Sequence, residues 1–316
     1  MGQPTEQTSE AKTADEYDER TGEKAMREYQ IFTDPTCDLP AALVEELGVM
    51  VVPMEFELGG KPYMHFPDGR NYGFHEFYEQ LRAGNMSKTS QVTYHTYMEY
   101  WEPVLKSGKD ILAISFSSAL SGTYSAAELA AKDFAEQYPD RKIYVVDTRA
   151  ASAGEGLMVY TAAKKKAEGM DIETLRDWVL NNRDHLCHWF TVDDLNHLKR
   201  GGRVSAVSAL LGTALGVKPV LHVDNEGRLI PMEKVRGRRK SLEALVEHMK
   251  ATCTEPDGQH IFIGHGDSLE DAEYTASLVK QSFPTIADVT LTMIGPVVGT
   301  HSGPGTIALF FFGTQK

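Results

Sequence analysis

The chain has 316 residues, 41% of them hydrophobic and 24% charged, the composition of a globular protein large enough for two ordinary domains. Its formal net charge of −13 argues against a nucleic-acid partner, because neutralising phosphates requires a basic face. Three widely spaced cysteines, Cys37, Cys187 and Cys253, offer neither a disulfide framework nor a CxxC pair, which suits free thiols in a reducing compartment.

Residues 1–28 carry eight acidic against four basic side chains, a net of −4, and almost no aliphatic ones. Such a segment buries too little apolar surface to order itself and is expected to be a disordered acidic tail. It has neither the basic start nor the apolar stretch of a signal peptide, and no run of the chain approaches eighteen apolar residues. A cytoplasmic location is expected.

From Gln30 onward apolar runs alternate with helical patterns, the signature of a mostly parallel sheet flanked by helices. "YQIFTD", "MVVPMEFEL", "DILAISFS" and "KIYVVDT" read as strands. Between and after them "LPAALVEELG", "FHEFYEQLRAG", "YHTYMEYWEPVLKSG", "SAAELAAKDFAEQYP", "AGEGLMVYTAAKKKAEG" and "DIETLRDWVLNNRDHL" have helical spacing. After His188 the pattern changes to "HWFTV", "VKPVLHV", "RLIPMEKV", "HIFIGHG" and "ADVTLTMI" as strands, with chiefly "SLEALVEHMKAT" and "SLEDAEYTASLVKQSF" as helices. The fold class is therefore α/β in two domains, an N-terminal open, mostly parallel sheet with flanking helices over 29–180 and a C-terminal α+β domain over 181–316. Near the end, Ile294–Val298 and Ile307–Phe312 have strand composition, and the glycines between them place His301 on a loop held by two strands.

In open α/β sheets ligands gather at the carboxyl ends of the strands. The segments there, "FTDPTCDLP", "SKTSQ", "SFSSALSGTYSAA" and "DTRAASAGEG", are dense in hydroxyls and small residues. Helix capping accounts for one hydroxyl per helix, but Ser115, Ser117, Ser118, Ser121 and Thr123 within nine residues exceed that need, and Gly122 lets backbone approach a ligand. An anion site at a helix N-terminus is expected. No GxxxxGK[ST], GxGxxG, GxSxG or HExxH motif occurs, and His185, Cys187 and His188 in "HLCHWF" have no second cluster at metal-ligand spacing. No nucleotide, metal or other cofactor is called for.

"TDPTCDLP", "TSQ", "SSALSGTYSAA", "DTRAASAGEGLMV", "LNHLKRGGRVSAVSALLGTALGVKPVLHV", "EKVRGRRKSLEAL" and "GPVVGTHSGPGTIALFF", in that order, resemble the DegV family, the fatty-acid-binding subunits of bacterial fatty acid kinase systems. The resemblance covers about residues 30–313. It departs at Pro35, where the family usually has the serine of TDST, and at Val92, where a proline usually follows TSQ.

The resemblance implies a non-enzymatic lipid-binding subunit of phospholipid metabolism. It would bury one long-chain fatty acid between its domains, without a cofactor, and present the carboxylate to a separate ATP-dependent kinase that makes the acyl phosphate. Membrane contact would be transient, for ligand exchange. The carboxylate would fall to Thr89, Ser90, Ser121 and His301, with Gly122, Thr123, Gly299 and Thr300 in the same motifs. No lysine or arginine in those loops would form a permanent ion pair with it. If His301 donates to the carboxylate, its protonated form would bind the anion more strongly, and affinity would weaken as pH rises through the histidine's titration range. Lys199, Arg200 and Arg203, with "EKVRGRRK", form a basic patch expected to dock the kinase. "SALLGTALGVKPVL", "GLMVYTAA" and "MEYWEPVL" are candidate tunnel walls. Two alternatives stand beside this, a stand-alone hydrolase or transferase using Ser121 with His301, and a carrier of another lipid.

Overall fold

The computed structural model describes residues 27–204 and 216–314. Most of the acidic tail, and residues 208–215 of the expected tunnel-wall helix, lie outside these. In chain order the elements are β1 (Tyr29–Thr33), α1 (Ala41–Glu46), β2 (Met50–Val51), β3 (Met54–Leu58), β4 (Lys61–His65), α2 (Phe74–Arg82), β5 (Ser87–Thr89), α3 (Tyr94–Lys106), β6 (Asp110–Ser115), α4 (Thr123–Gln137), β7 (Ile143–Asp147), α5 (Ala153–Ala167) and α6 (Ile172–Asn182). They continue with β8 (Leu186–Thr191), α7 (Leu195–Gly201), β9 (Val217–Val223), β10 (Leu229–Arg236), α8 (Arg238–Thr252), β11 (His260–His265), α9 (Leu269–Ser282), β12 (Asp288–Met293), α10 (Pro296–Ser302) and β13 (Ile307–Phe312).

The first sheet is parallel, in the order β2-β1-β6-β7. Its central strand β6 is buried along its whole length, as a parallel strand covered on both faces must be. Alternation divides the side chains: Ile31, Leu112 and Ile114 enter one core, Phe32, Ile111 and Ala113 the other. "MVVPMEFEL" is two strands rather than one. The chain leaves the parallel sheet after Val51, and β3 pairs instead with β4 and β5 in a three-stranded antiparallel sheet. Pro53, without an N–H, stands at the break.

The six-stranded sheet runs β10-β9-β8-β13-β11-β12, antiparallel except for the β11–β12 pair. On β8 and β13, Phe190, Ala308 and Phe310 face the core that also holds Leu112 and Ile114, while Trp189, Leu309 and Phe311 face α8 and α9. Val217–Leu221, the end of the expected tunnel-wall helix, is strand.

Helix α5 joins the two halves. It packs against β6 and against β8, β11 and β13, and Ala153 through Val159 are all buried, as in a helix enclosed on every side. Its glycines make that possible: a Cβ on Gly154 would come 2.2 Å from His188 Nε2, and one on Gly156 2.4 Å from the Cys37 carbonyl. The "AGEG" glycines thus serve close packing. Among the described residues no helix is long and apolar enough to cross a membrane.

Candidate functional site

His301 lies in the last turn of α10, which corrects the expected loop between two strands. Gly295 is the extended N-cap, Pro296 fills the first helical position, and Gly303 ends the helix at φ 81°. Glycine and proline here punctuate a short helix. The turn into α10 is pinned from below by Asp38, whose carboxylate accepts the Gly295 N–H at 2.8 Å and the Ser152 hydroxyl at 2.6 Å, while its carbonyl accepts from Thr292. Burial pushes the Asp38 carboxyl up to about 8, against the lowering effect of those two donors. Asp34 and Glu155, equally enclosed, are also raised, first by burial, and are held by Thr33 and Thr36.

The His301 ring bridges the halves of the chain: Nε2 is 2.9 Å from Thr89 Oγ1 at the end of β5. Gly201 at the end of α7 leaves room for it, since a Cβ there would lie 2.2 Å from Nδ1. Burial, reinforced by the Arg203 charge, lowers the histidine to about 4. Without a ligand the ring is therefore neutral at physiological pH. Nδ1 is buried without a hydrogen-bond partner among the described residues. Among the described residues no carboxylate orients the ring as a hydrolase base would require.

Beside this pair opens a cavity of about 280 Å³. Its apolar wall comes from both halves of the chain: Met54 of β3 with Phe116 and Leu120 beyond β6 from the first, and Phe190, Val223, Val297 and Phe310 from the second. Thr89, Ser90, Gln91, Ser121, Arg203 and His301 supply polar groups. One cavity therefore offers an apolar interior and a cluster of hydrogen-bond donors, the complement of an amphipathic ligand.

Residues 28–314 match the model of the uncharacterised-protein family DegV. The chain belongs to the DegV family. A DegV domain-containing protein of Clostridium perfringens is 42% identical over 291 residues, covering 92% of this chain and 99% of its own. A Thermus thermophilus DegV protein described as fatty-acid-binding superposes with a TM-score of 0.83 at 30% identity, over 90% of this chain and 99% of that one. Bacillus subtilis DegV, likewise described as a fatty acid binding protein, superposes at 0.79 and 25% identity, over 92% and 100%.

Of the residues singled out in the sequence, this DegV chain brings Thr89, Ser90, Ser121, Gly122 and His301 to the cavity. A Cβ on Gly122 would meet Gln91 Oε1 at 2.0 Å, the end of an exposed side chain that can turn aside. Thr123 is fully buried and turned to structure: its hydroxyl accepts the Val92 N–H and meets Ser121 Oγ at 3.0 Å. Gly299 packs under Tyr78, and Thr300 bonds Ser87 and the Pro296 carbonyl, so neither lines this cavity. Lys199 is exposed and away from it. Arg203 corrects the expectation of a site without a permanent cation, since it lines the cavity and bonds the Leu120 carbonyl. Missed in the sequence were Gln91, Thr36, Ser152 and His188. Gln91 stood inside the quoted "TSQ", Thr36 inside "FTDPTCDLP", Ser152 inside "DTRAASAGEG" and His188 inside "HLCHWF", without being singled out for the site. On β8, His188 and Cys187 fall on opposite faces.

Proposed function

We propose that this DegV chain binds a long-chain fatty acid in the cavity, with the carboxylate at Thr89, Ser90, Ser121 and His301, and presents it to a separate ATP-dependent kinase in the cytoplasm for acyl-phosphate formation. The observation that carries the reading is one cavity with apolar walls from both halves of the chain and a polar cluster beside His301. The fatty-acid-binding description of similar structures supports it. Burying ~16 carbons at about 0.8 kcal/mol each gives roughly 12 kcal/mol of gross transfer energy, so the tail supplies most of the affinity and the head group orientation. Arg203 adds a fixed positive charge to the hydroxyl donors. Lys199 and its basic neighbours then dock the kinase.

Mass spectrometry of lipid extracted from the purified protein is expected to find a long-chain fatty acid; a different lipid class would overturn the reading. Ser121→Ala and His301→Ala each remove a hydrogen bond to a charged group, about 1.5–3 kcal/mol or roughly ten- to hundredfold in affinity. A double variant that binds fatty acid like the parent would place the carboxylate elsewhere.

A further inference from the structure

The β9–β10 hairpin parts from its sheet before it ends. Strand β9 pairs with β8 at Val220, Leu221 and His222, opposite Thr191, Phe190 and Trp189, and the ladder stops there. A continued ladder would set His188 against Val223. Instead His188, Val223 and Leu229 all line the ligand cavity, and residues 223–229 run on as a two-stranded ribbon at the outer edge of the sheet. Such a ribbon has little stability of its own. It is also jointed, because the register of β10 shifts between Pro231 and Glu233, and a bulge bends the strand that contains it.

The tip of the hairpin is stiff. Asp224 Oδ1 accepts the N–H groups of Glu226 and Arg228, each at 2.9 Å, and backbone bonds from Asp224 to Arg228 and from Gly227 to Asp224 close the turn. Two hydrogen bonds clasp this tip to the first half of the chain. Ser117 Oγ donates to the Gly227 carbonyl and Arg149 Nη1 to the Asn225 carbonyl, both at 2.9 Å. Gly227 permits the approach, since at φ 80° a Cβ would lie 2.2 Å from Ser117 Oγ. Arg149 has a left-handed backbone of its own, φ 51°, with its N–H donated to Asp147 Oδ1 at 2.9 Å. Backbone outliers of this sort recur at clamps and switches.

The rest of the cavity wall is tied more deeply. Phe190 and Phe310 stand on interior strands, and the turn into α10 is pinned by Asp38. Val223, by contrast, is buried yet belongs to none of the apolar cores among the described residues. We infer that the β9–β10 hairpin is the gate of the ligand cavity: its tip, clasped by Ser117 and Arg149, lifts as a unit, carries Val223 and Leu229 out of the wall, and lets an apolar ligand in and out. This rests on the fatty-acid reading. The clasp sets how fast the ligand exchanges, while the cavity sets how tightly it is held.

The test is kinetic. Cis-parinaric acid, a fluorescent polyene fatty acid, is mixed with the protein by stopped flow, and its release is followed on chasing with palmitate. Arg149→Ala removes one clasp. Gly227→Ala pushes the tip away by another means, because its methyl has no room against Ser117. In either variant association and dissociation are expected to quicken together by about three- to tenfold, the scale of one hydrogen bond, with the dissociation constant held within about twofold. Rates equal to the parent's in both variants overturn the inference. Faster dissociation with unchanged association also overturns it, because the hairpin would then be wall and not gate. A parent that binds neither parinaric acid nor palmitate defeats the fatty-acid reading instead, and the inference with it.

Discussion

The neutral state of His301 decides how binding should respond to pH. The free ring titrates at about 4, and an adjacent carboxylate raises such a group by about 1–3 units, to no more than about 7. The complex takes up a proton only below that value, so affinity strengthens as pH falls under it and is level above. Palmitate dissociation constants measured at pH 8 and 9 should therefore agree, with the value at pH 7 no more than about twofold tighter. Greater weakening across that span would show an imidazolium in the complex. Residue types at the site were legible because "TSQ", "LSGT" and "GTHSGPG" are unusual strings, and Thr89, Ser121 and His301 do line one cavity. The charge state was not legible, because it depends on burial and on Arg203, which is 98 positions away in sequence.

Helix α5 shows what small residues do for an element. With Gly154 against His188 and Phe310, an added methyl has no room, and overpacking of this kind costs typically about 1–3 kcal/mol. Gly154→Ala should lower the urea midpoint accordingly, and an unchanged midpoint would mean that α5 is not seated between the sheets. The long elements β1, β6, β7, α3, α4 and α5 could be read from periodicity. The short ones could not: α10 spans seven residues and β5 three, too few for a period to show. The Gly-Pro pair at 295–296 was the available signal for α10, since proline favours the first helical position.

At the scale of the molecule, a basic patch on an acidic body gives an approaching partner an orientation. Lys199 is the clean probe of it, being exposed and outside the cavity beside His301, which Arg203 lines. Lys199→Glu is expected to reduce kinase-coupled turnover several-fold, more at low salt, while fatty-acid affinity holds. Turnover equal to the parent's at every salt concentration would remove this face from the kinase interface.

The sharing of α5 between the sheets bears on how a ligand comes and goes. Swinging the halves apart would strip α5 from one of them and wet Leu157, Met158, Phe190 and Phe310, all in one core. Large apolar side chains lose about 1.5–3 kcal/mol each on such exposure, so a gaping motion competes with global unfolding in free energy. A ligand of the proposed kind would therefore come and go by small displacements at the rim, past side chains that yield while helix α5 stays in place.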